Sequence, residues 1–488
     1  MTIAPERAQT FDSHEPSTGA VFATFPVHTE ADVAAAVGRA RTAALWWQNL
    51  GPDGRKQRLD AWRSVLVRRL PEIAEAMHRE NGKPVADAQL ELTLAVDHLD
   101  WAAKNARKVL GQRRVPSGLL MANQAAYLEY QPLGVIGVIG PWNYPVFTPM
   151  GSIGYALAAG NAVVFKPSEF TPGVGKMLVD TFAEVVTEQP VLQLITGLGE
   201  TGAALCRSGV DKIAFTGSTR TGKRVMAACA ETLTPVLMEC GGKDAMIVAD
   251  DADVVAAADA ALWGGMANAG QTCIGIERVY ATSKSYDGFL AALQEKVAKV
   301  DAGTSYGHIT MPSQAEIIRN HIADAISHGG TAVSGGRVDG TLVQPTVLTN
   351  VPEESTAVQE ETFGPTLTVT KVKDVEEALV LANSTSYGLA GAVFSRRRGM
   401  EIARKLRSGM TSINAVQAFA AIPSLPFGGI GESGFGRIHG EDGLREFTRA
   451  KAITQQRMKP LLALTTFDRT ARADKMLMRV VKLLYGRR

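Results

Sequence analysis

Short apolar runs alternate with helical segments along most of the chain beyond about residue 133. Each run is followed by Gly, Pro or Ser and then by a segment with helical periodicity; the runs are VIGVI, AVVFK, VLQLI, KIAFT and VLMEC. This alternation predicts a parallel sheet with helices on both faces. Ahead of it, residues 30–80 carry amphipathic helical patterns.

A second series of such units begins at AMIVA, Ala245–Ala249. Asp250 and Asp251 follow it and are expected to cap an Ala-rich helix that ends near Ala269. Two further units are LTVTKV with a helix from Asp374 to Asn383, and AGAVFS with a helix that reaches Leu406 and is ended by Gly409. The two series together predict two α/β domains.

One uncharged stretch, Tyr130 to Phe165, is long enough for a membrane helix. Four prolines and six glycines interrupt it, which a membrane helix would not favour. The stretch is better interpreted as a strand at Val135–Ile139, a loop, a helix and a second strand at Ala162–Phe165, all buried.

Composition and charge narrow the function. The 488 residues are 45% hydrophobic and 20% charged, as in ordinary soluble proteins, and the net charge of +2 argues against a nucleic-acid partner. The cysteines have no C-x-x-C spacing and do not cluster with the eight histidines, so no metal site is expected. Four cysteines and an N-terminus without an apolar run predict a cytoplasmic protein without a signal peptide.

Two glycine-rich loops are candidates for phosphate binding. Gly197–Gly202, which contains Gly199, matches G-x-G-x-x-G but lacks an acidic residue about twenty positions on, so the pattern alone does not assign a pyrophosphate there. FTGSTRTG, residues 215–222, follows a strand at Lys212–Thr216 and opens a helix. A plain capped turn explains this second loop equally well.

Taken together, seven segments in order resemble the aldehyde dehydrogenase superfamily: PWNYP (141–145), KPSE (166–169), FTGSTRTG (215–222), MECGGK (238–243), GQTC (270–273), EETFGP (360–365) and PFGGIGESGFGR (426–437). The resemblance covers roughly residues 20–450 and is closest to the hydrolytic, NAD(P)-dependent members. It implies an α/β fold with a Rossmann-type NAD-binding domain (1–112 and 132–241), a catalytic domain (242–440), a small β oligomerisation arm (113–131 and 441–458) and a C-terminal basic amphipathic tail (459–488).

The resemblance also implies catalytic roles. Cys273 closes the GQTC segment and matches the family's nucleophile, whose thiolate requires a lowered pKa or a nearby base. Asn143 and the Cys273 N–H match the oxyanion donors, and Glu239 matches the base that hydrolyses the thioester. Cys240, where the family more often has leucine, is interpreted as a small apolar substitute, with a second thiol at the site as the alternative. Without the resemblance, Cys273 is a packing residue, Asn143 a turn residue and Glu239 a solvated strand end.

By the same resemblance the cofactor is NAD, with NADP possible. Glu169 would accept hydrogen bonds from the adenosine ribose and repel a 2′-phosphate, which favours NAD. Lys166 would hold the same ribose, and Gly199 would border the adenine. The remaining predicted contacts are Gly217 and Ser218 at the pyrophosphate, Trp142 at the nicotinamide, and Glu361 and Phe363 around the nicotinamide ribose and ring.

The substrate is expected to be an uncharged aliphatic or aromatic aldehyde. Residues 413–425, INAVQAFAAIPSL, match the segment that shapes the family's aldehyde pocket and contain no Arg or Lys. Arg278 could still reach in and bind a carboxylate. The alternatives are therefore an NADP-preferring semialdehyde dehydrogenase and a non-catalytic binding member of the same fold.

Two predictions concern partners. The arm predicts a homodimer or homotetramer, because an unpaired sheet edge seeks a second copy. In the tail, one helical face is apolar and basic residues lie nearby; the apolar face consists of Met476, Leu477, Val480, Val481 and Leu484. Such a helix can pack on the body or on a second subunit, or rest on a membrane surface, and the sequence leaves these alternatives open.

Overall fold

The computed structural model describes residues 9–460, 462 and 464–486. They form two compact units. The larger runs up to Val109 and from Pro132 to Thr448, and the smaller comprises Leu110–Gln131 and the chain from Arg449 onward.

A six-stranded sheet forms the first half of the larger unit. Its order from one edge is Gly434–Phe435, Val236–Glu239, Lys212–Thr216, Val135–Ile139, Ala162–Lys166 and Leu192–Leu194. Five strands are parallel and Gly434–Phe435 is antiparallel. The chain order reverses between Val135–Ile139 and Lys212–Thr216, and open α/β sheets bind ligands at the carboxyl ends of the strands at such a point.

Helices surround this sheet. They are Glu30–Asn49, Gly51–Arg68, Leu70–Asn81, Val85–Leu110, Phe147–Ala159, Pro172–Ala183, Gly199–Arg207 and Thr219–Ala230, preceded by the strand pair Thr10–His14 and Val21–Pro26. Thr29 and Asp32 form a capping box at the first helix. The uncharged stretch folds as predicted, into the strand Val135–Ile139, the helix Phe147–Ala159 and the strand Ala162–Lys166.

A seven-stranded sheet forms the second half. Its order is Thr331–Ser334, Thr346–Thr349, Thr366–Val372, Ile276–Thr282, Asp244–Val248, Gly391–Phe394 and Ser412–Ile413, all parallel except the first. The second half also contains a strand pair, Val338–Asp339 with Leu342–Val343. Its helices are Val254–Met266, Tyr286–Val297, Pro312–Ser327, Thr356–Gln359, Val375–Ala382 and Gly399–Lys405, and the later helix Gly440–Glu446 packs on Phe147–Ala159. Both alternating series are therefore parallel sheets, as predicted.

Two predicted helix ends are wrong. Asp253, not Asp250 or Asp251, caps the helix Val254–Met266 by accepting from the Ala256 N–H. Asp251 instead accepts hydrogen bonds from the Ser395 hydroxyl and the Arg397 N–H, so tertiary partners occupy it. The helix Gly399–Lys405 ends because Leu406 is extended, without help from Gly409.

The smaller unit contains a three-stranded sheet in the order Thr448–Gln456, Gln124–Pro132 and Arg113–Val115. It also contains a short 3₁₀ turn at Leu119–Met121 and the helix Ala471–Tyr485. No helix in the described part of the chain is long and apolar enough to cross a bilayer.

Candidate active site

Cys273 lies in the loop that follows the helix Val254–Met266, and the end of this helix sets the course of the loop. Asn268 and Ala269 are left-handed, with φ of 54° and 56°, so the helix stops before the predicted Ala269 and the chain reverses. A Cβ on Gly270 would lie 2.0 Å from the Gly364 carbonyl oxygen, so only glycine permits this approach. The turn leaves Cys273 as a free, partly exposed cysteine.

The local electrostatics do not lower the pKa of the Cys273 thiol. Burial raises it most, and Glu361, Asp244 and Glu239 add to the rise. The Ile274 N–H acts in the opposite direction. Of the two ways to obtain a thiolate, a lowered pKa is therefore not favoured, and a nearby base is the alternative that is left.

Asn143 is held against the cysteine loop. Its side chain is 5% exposed, and its Nδ2 donates to the Gln271 carbonyl at 2.8 Å. Its own carbonyl accepts from Lys83 Nζ at 2.9 Å and from Asn268 Nδ2 at 3.0 Å. These bonds join the PWNYP and GQTC segments, which the sequence separates by more than a hundred residues.

Lys83 and Glu91 support this loop, and the sequence analysis did not identify them. They form an ion pair in which both side chains are 1% exposed. Glu91 also accepts the Val146 and Phe147 N–H groups, at 2.8 and 2.9 Å, at the start of the helix Phe147–Ala159. No local motif identifies them, because the backbone groups that they bind lie more than fifty residues away.

Glu239 ends its strand as a buried carboxylate. It is 3% exposed, and neither carboxylate oxygen has a hydrogen-bond partner among the described residues. Burial raises its pKa well above the usual value, while Arg437 lowers it in part. A Cβ on Gly428 would lie 2.9 Å from Oε1, so the glycine leaves this carboxylate room. Glu239 is therefore not a solvent-exposed residue at the end of its strand.

Cys240 is buried beneath a helix. A Cβ on Gly222, in the helix Thr219–Ala230, would lie 3.0 Å from its Sγ. Burial raises the pKa of this thiol to about 12. Both observations favour the small apolar substitute over a second reactive thiol.

The predicted cofactor residues gather at the carboxyl edge of the six-stranded sheet. Lys166 ends a strand and is 4% exposed, with its Nζ 4.0 Å from a Glu169 carboxylate oxygen. Burial lowers the pKa of Lys166.

Ser218 caps the helix Thr219–Ala230 by accepting from the Thr221 N–H, and the Gly217 N–H donates to the Glu239 carbonyl at 3.1 Å. Because this N–H already donates to a carbonyl, Gly217 would not donate it to a phosphate. Its lack of a side chain would instead let the phosphate approach the backbone closely.

Gly199 starts the helix Gly199–Arg207, and a Cβ there would meet nothing within 4 Å. That open space suits a flat ring and leaves the predicted adenine contact sterically free.

The residues predicted to contact the nicotinamide end of the cofactor also lie close together. The Trp142 and Phe363 rings are 5.5 Å apart at an interplanar angle of 85°. Phe363 has a φ of 50°, and its N–H donates to Glu277 at 2.9 Å, which holds the strained residue. Glu361 accepts the Gly242 N–H at 2.9 Å, and burial raises its pKa to about 8.

Arg278 does not reach this site. Its guanidinium is buried and donates to the carbonyls of Lys243, Leu381 and Ala382 and to the Tyr280 hydroxyl. A buried guanidinium with four of its five N–H groups bonded inside the fold is not available to a substrate carboxylate, so the suggestion that Arg278 reaches the site is wrong.

The site thus combines a partly exposed thiol, an amide donor joined to its loop and a buried carboxylate. A model of the aldehyde dehydrogenase family matches residues 3–453. The chain belongs to this family. An aldehyde dehydrogenase of this family is an oxidoreductase that uses NAD or NADP, and the expected enzyme class, fold class and cofactor class are confirmed.

Known family members resemble this aldehyde dehydrogenase over nearly their whole length. It is 37% identical over 441 residues to the 4,4′-diapolycopene aldehyde oxidase of Methylomonas sp, covering 89% of this chain and 83% of that protein. It is 33% identical to the glutarate-semialdehyde dehydrogenase of Pseudomonas aeruginosa, covering 92% and 95%. The NAD-dependent aldehyde dehydrogenase from Sinorhizobium meliloti superposes with a TM-score of 0.89 at 32% identity, covering 94% and 93%.

Proposed function

We propose that this aldehyde dehydrogenase oxidises an uncharged, apolar aldehyde to the free acid with NAD, through a thioester on Cys273. The observation that carries the proposal is an anchored amide donor at the cysteine loop together with a buried carboxylate that has no hydrogen-bond partner in the described part of the chain. An aldehyde oxidation needs the first group to stabilise an oxyanion and the second to accept protons.

The first step forms a carbon–sulfur bond. The Cys273 sulfur attacks the carbonyl carbon while its proton passes to a carboxylate, for which Glu239 is the candidate. The carbonyl π electrons move to oxygen, which the Asn143 amide and the Cys273 N–H stabilise. Asn143 has two amide N–H groups and uses one for the Gln271 carbonyl, which leaves the second for the oxyanion.

The nicotinamide, when bound, would supply the hydride acceptor for the second step. In that step the oxyanion re-forms a carbonyl and the carbon–hydrogen bond breaks, which leaves a thioester on Cys273. Trp142, Phe363 and Glu361 would hold this end of the cofactor. Lys166 and Glu169 would hold the other end, as would the start of the helix Thr219–Ala230, where free N–H groups favour phosphate.

Hydrolysis completes the cycle. Once Glu239 has released the thiol proton to solvent, it removes a proton from water, and the water oxygen attacks the thioester carbon. The carbon–sulfur bond then breaks, and the proton held by Glu239 returns to the Cys273 sulfur. A carboxylate with a raised pKa is a stronger base than an exposed glutamate, which suits proton removal near neutral pH. A free acid, not an acyl transfer product, is the expected outcome.

The preference for NAD rests on Glu169. Its side chain is 39% exposed and close to Lys166, so it is available to two ribose hydroxyls and would repel a 2′-phosphate. Steady-state assays with both cofactors test this point. A strong preference for NADP would overturn the assignment of Glu169.

An uncharged substrate is supported by the side chains around residues 418–421. His98 meets the Ala420 carbonyl at 3.0 Å and its ring centroid lies 3.9 Å from that of His439. Burial lowers the pKa of His98 to about 4 and that of His439 well below its usual value, so neither is a cation at neutral pH. A relative named for 4,4′-diapolycopene aldehyde supports the same substrate class.

A semialdehyde is the second candidate. It is favoured by relatives at 33% identity that are named glutarate-semialdehyde dehydrogenase and, for the NADP-linked case, succinate-semialdehyde dehydrogenase. A panel of apolar aldehydes and acidic semialdehydes, compared by kcat/KM, decides between the two classes. An acid-bearing substrate that surpasses all the neutral ones would replace our proposal.

The oligomeric state and the cellular compartment are each proposed from a single observation. The three-stranded sheet of Arg113–Val115, Gln124–Pro132 and Thr448–Gln456 is the surface that we expect to pair in a homodimer or homotetramer. All four cysteines are free, which agrees with a reducing cytoplasm.

Replacement of the nucleophile tests the mechanism. Cys273→Ala should lower kcat by about 10⁴-fold or more, the size typical of a lost nucleophile. Cys229→Ala, which removes a buried thiol from the helix Thr219–Ala230, should retain activity and serves as the matched control. Mass spectrometry of substrate-treated parent enzyme should show acylation at Cys273, and a Cys273→Ala variant as active as the parent would exclude the mechanism.

A further inference from the structure

The C-terminal helix exposes large apolar side chains. Ala471–Tyr485 is capped by the Thr470 hydroxyl, which accepts the Ala473 N–H. Within it Met476 is 51% exposed, Leu483 66% and Leu484 37%. A solvent-exposed helix normally presents polar residues at such positions, so this face is suited to a further contact.

The helix is amphipathic, with a basic flank. At about 100° per residue its four basic side chains fall within an arc of roughly 80°; they are Arg472, Lys475, Arg479 and Lys482. An arc of about 120° on another side of the helix is wholly apolar at the same spacing; its large members are Met476, Leu477, Val480, Leu483 and Leu484. Long basic side chains beside an apolar face are typical of helices that lie in a membrane interface.

Positive charge is concentrated in this end of the chain. Residues 457–488 contain nine Lys and Arg against two Asp, a net charge of +7, so the rest of the chain carries −5 because the whole carries +2. A bilayer that contains anionic lipid attracts a basic segment of this kind.

We propose that the helix Ala471–Tyr485 binds this protein peripherally to anionic phospholipid surfaces. The apolar arc enters the boundary between headgroups and acyl chains, and the basic flank contacts lipid phosphates. Charge favours a bilayer over a second copy of the helix, because a two-fold pairing of the tails would bring +7 against +7. The proposal does not depend on the catalytic mechanism.

Vesicle co-sedimentation of the full-length protein tests this docking. The probes are vesicles of phosphatidylcholine alone and vesicles with about 30 mol% phosphatidylglycerol. We expect at least about ten-fold more bound protein on the anionic vesicles, and release by about 0.5 M salt, which screens the attraction. Protein that stays in the supernatant with both vesicle types overturns the proposal.

Two variants separate the contributions of charge and apolar surface. Lys475→Glu/Arg479→Glu/Lys482→Glu and Met476→Asp/Leu483→Asp should each reduce binding to anionic vesicles about ten-fold or more. The control is Val380→Asp, which places a single acidic side chain at an apolar residue that is 69% exposed on the helix Val375–Ala382. The control should bind like the parent, and all variants should keep the parent's activity on a soluble aldehyde.

The alternative occupant has a distinct signature. If the apolar arc packs on a second copy, Met476→Asp/Leu483→Asp changes the molar mass measured by light scattering and leaves vesicle binding unchanged. That result, or equal binding by the parent and both tail variants, would refute membrane docking.

Discussion

The two sides of the Cys273 loop differ in how firmly their side chains are held. On one side, Asn143 donates to the Gln271 carbonyl and accepts from Asn268 and Lys83. The Lys83–Glu91 pair anchors the helix that follows. On the other, the Glu239 carboxylate is equally buried and has no hydrogen-bond partner among the described residues.

This difference matches two kinds of catalytic work. A donor that stabilises an oxyanion must be fixed before the reaction, because reorientation costs energy at the transition state. A base must change protonation state and bond to water, which a saturated carboxylate cannot do. An unpartnered buried carboxylate costs stability, and we infer that the chain keeps it for function.

Between the two sides of the loop, the larger expected effect on activity comes from Glu239→Gln. The variant should lose about 10²- to 10⁴-fold in kcat, because hydrolysis lacks its base. Rapid-mixing measurements should show how the loss divides between the two steps, since Glu239 is also the candidate acceptor of the thiol proton. An unchanged steady-state rate would mean that another group removes the proton from water.

The same variant has a separate effect on stability. Burial raises the folded-state pKa of Glu239, so the unfolded chain loses this proton at lower pH than the folded chain does. Stability therefore falls as pH rises from about 4 through the folded-state pKa. Glu239→Gln should be more stable than the parent at about pH 8 and no more stable near pH 4, as measured by denaturant midpoints.

The Asn143 side of the Cys273 loop should lose stability when the Lys83–Glu91 ion pair is broken. Lys83→Met leaves Glu91 charged and buried, and breaking such a pair costs about 3–5 kcal/mol of unfolding free energy. Lys83→Met/Glu91→Leu should recover part of this loss, because no lone charge remains. Chemical denaturation measures both variants, and equal stability of the parent and Lys83→Met would show that the pair does not support the loop.

Asn143→Ala should lower kcat by less than Glu239→Gln does. Loss of one oxyanion donor costs about 2.7–4 kcal/mol, or about 10²- to 10³-fold in kcat. Asn81→Ala is the control, because Asn81 Nδ2 also donates into this loop, to the Trp142 carbonyl at 2.8 Å. The control should lose about ten-fold or less. Similar losses in the two variants would point to loop geometry rather than oxyanion stabilisation.

Local sequence patterns predicted the strands well. Val135–Ile139 and Lys212–Thr216 have the bounds that were expected, because buried parallel strands are continuous apolar runs bounded by glycine or proline. Helix ends were predicted less well. Asp250, Asp251 and Asp253 are equivalent caps in sequence, and only the neighbouring chain decides which of them is free to cap.

The site shows the same division. The motifs indicated which segments carry Cys273, Asn143 and Glu239, since each bears a local signature. They gave no information on Lys83 and Glu91, whose importance arises from partners more than fifty residues away. Nor did they reveal that burial and three carboxylates raise the pKa of the Cys273 thiol.

The sequence alone determined the alternating architecture, the family resemblance and the residue types available for chemistry, because these depend on composition and short-range spacing. The tertiary structure decided which groups are joined, which are buried and which lack a partner. Those properties depend on contacts between distant segments, and they distinguish the anchored Asn143 from the unpartnered Glu239.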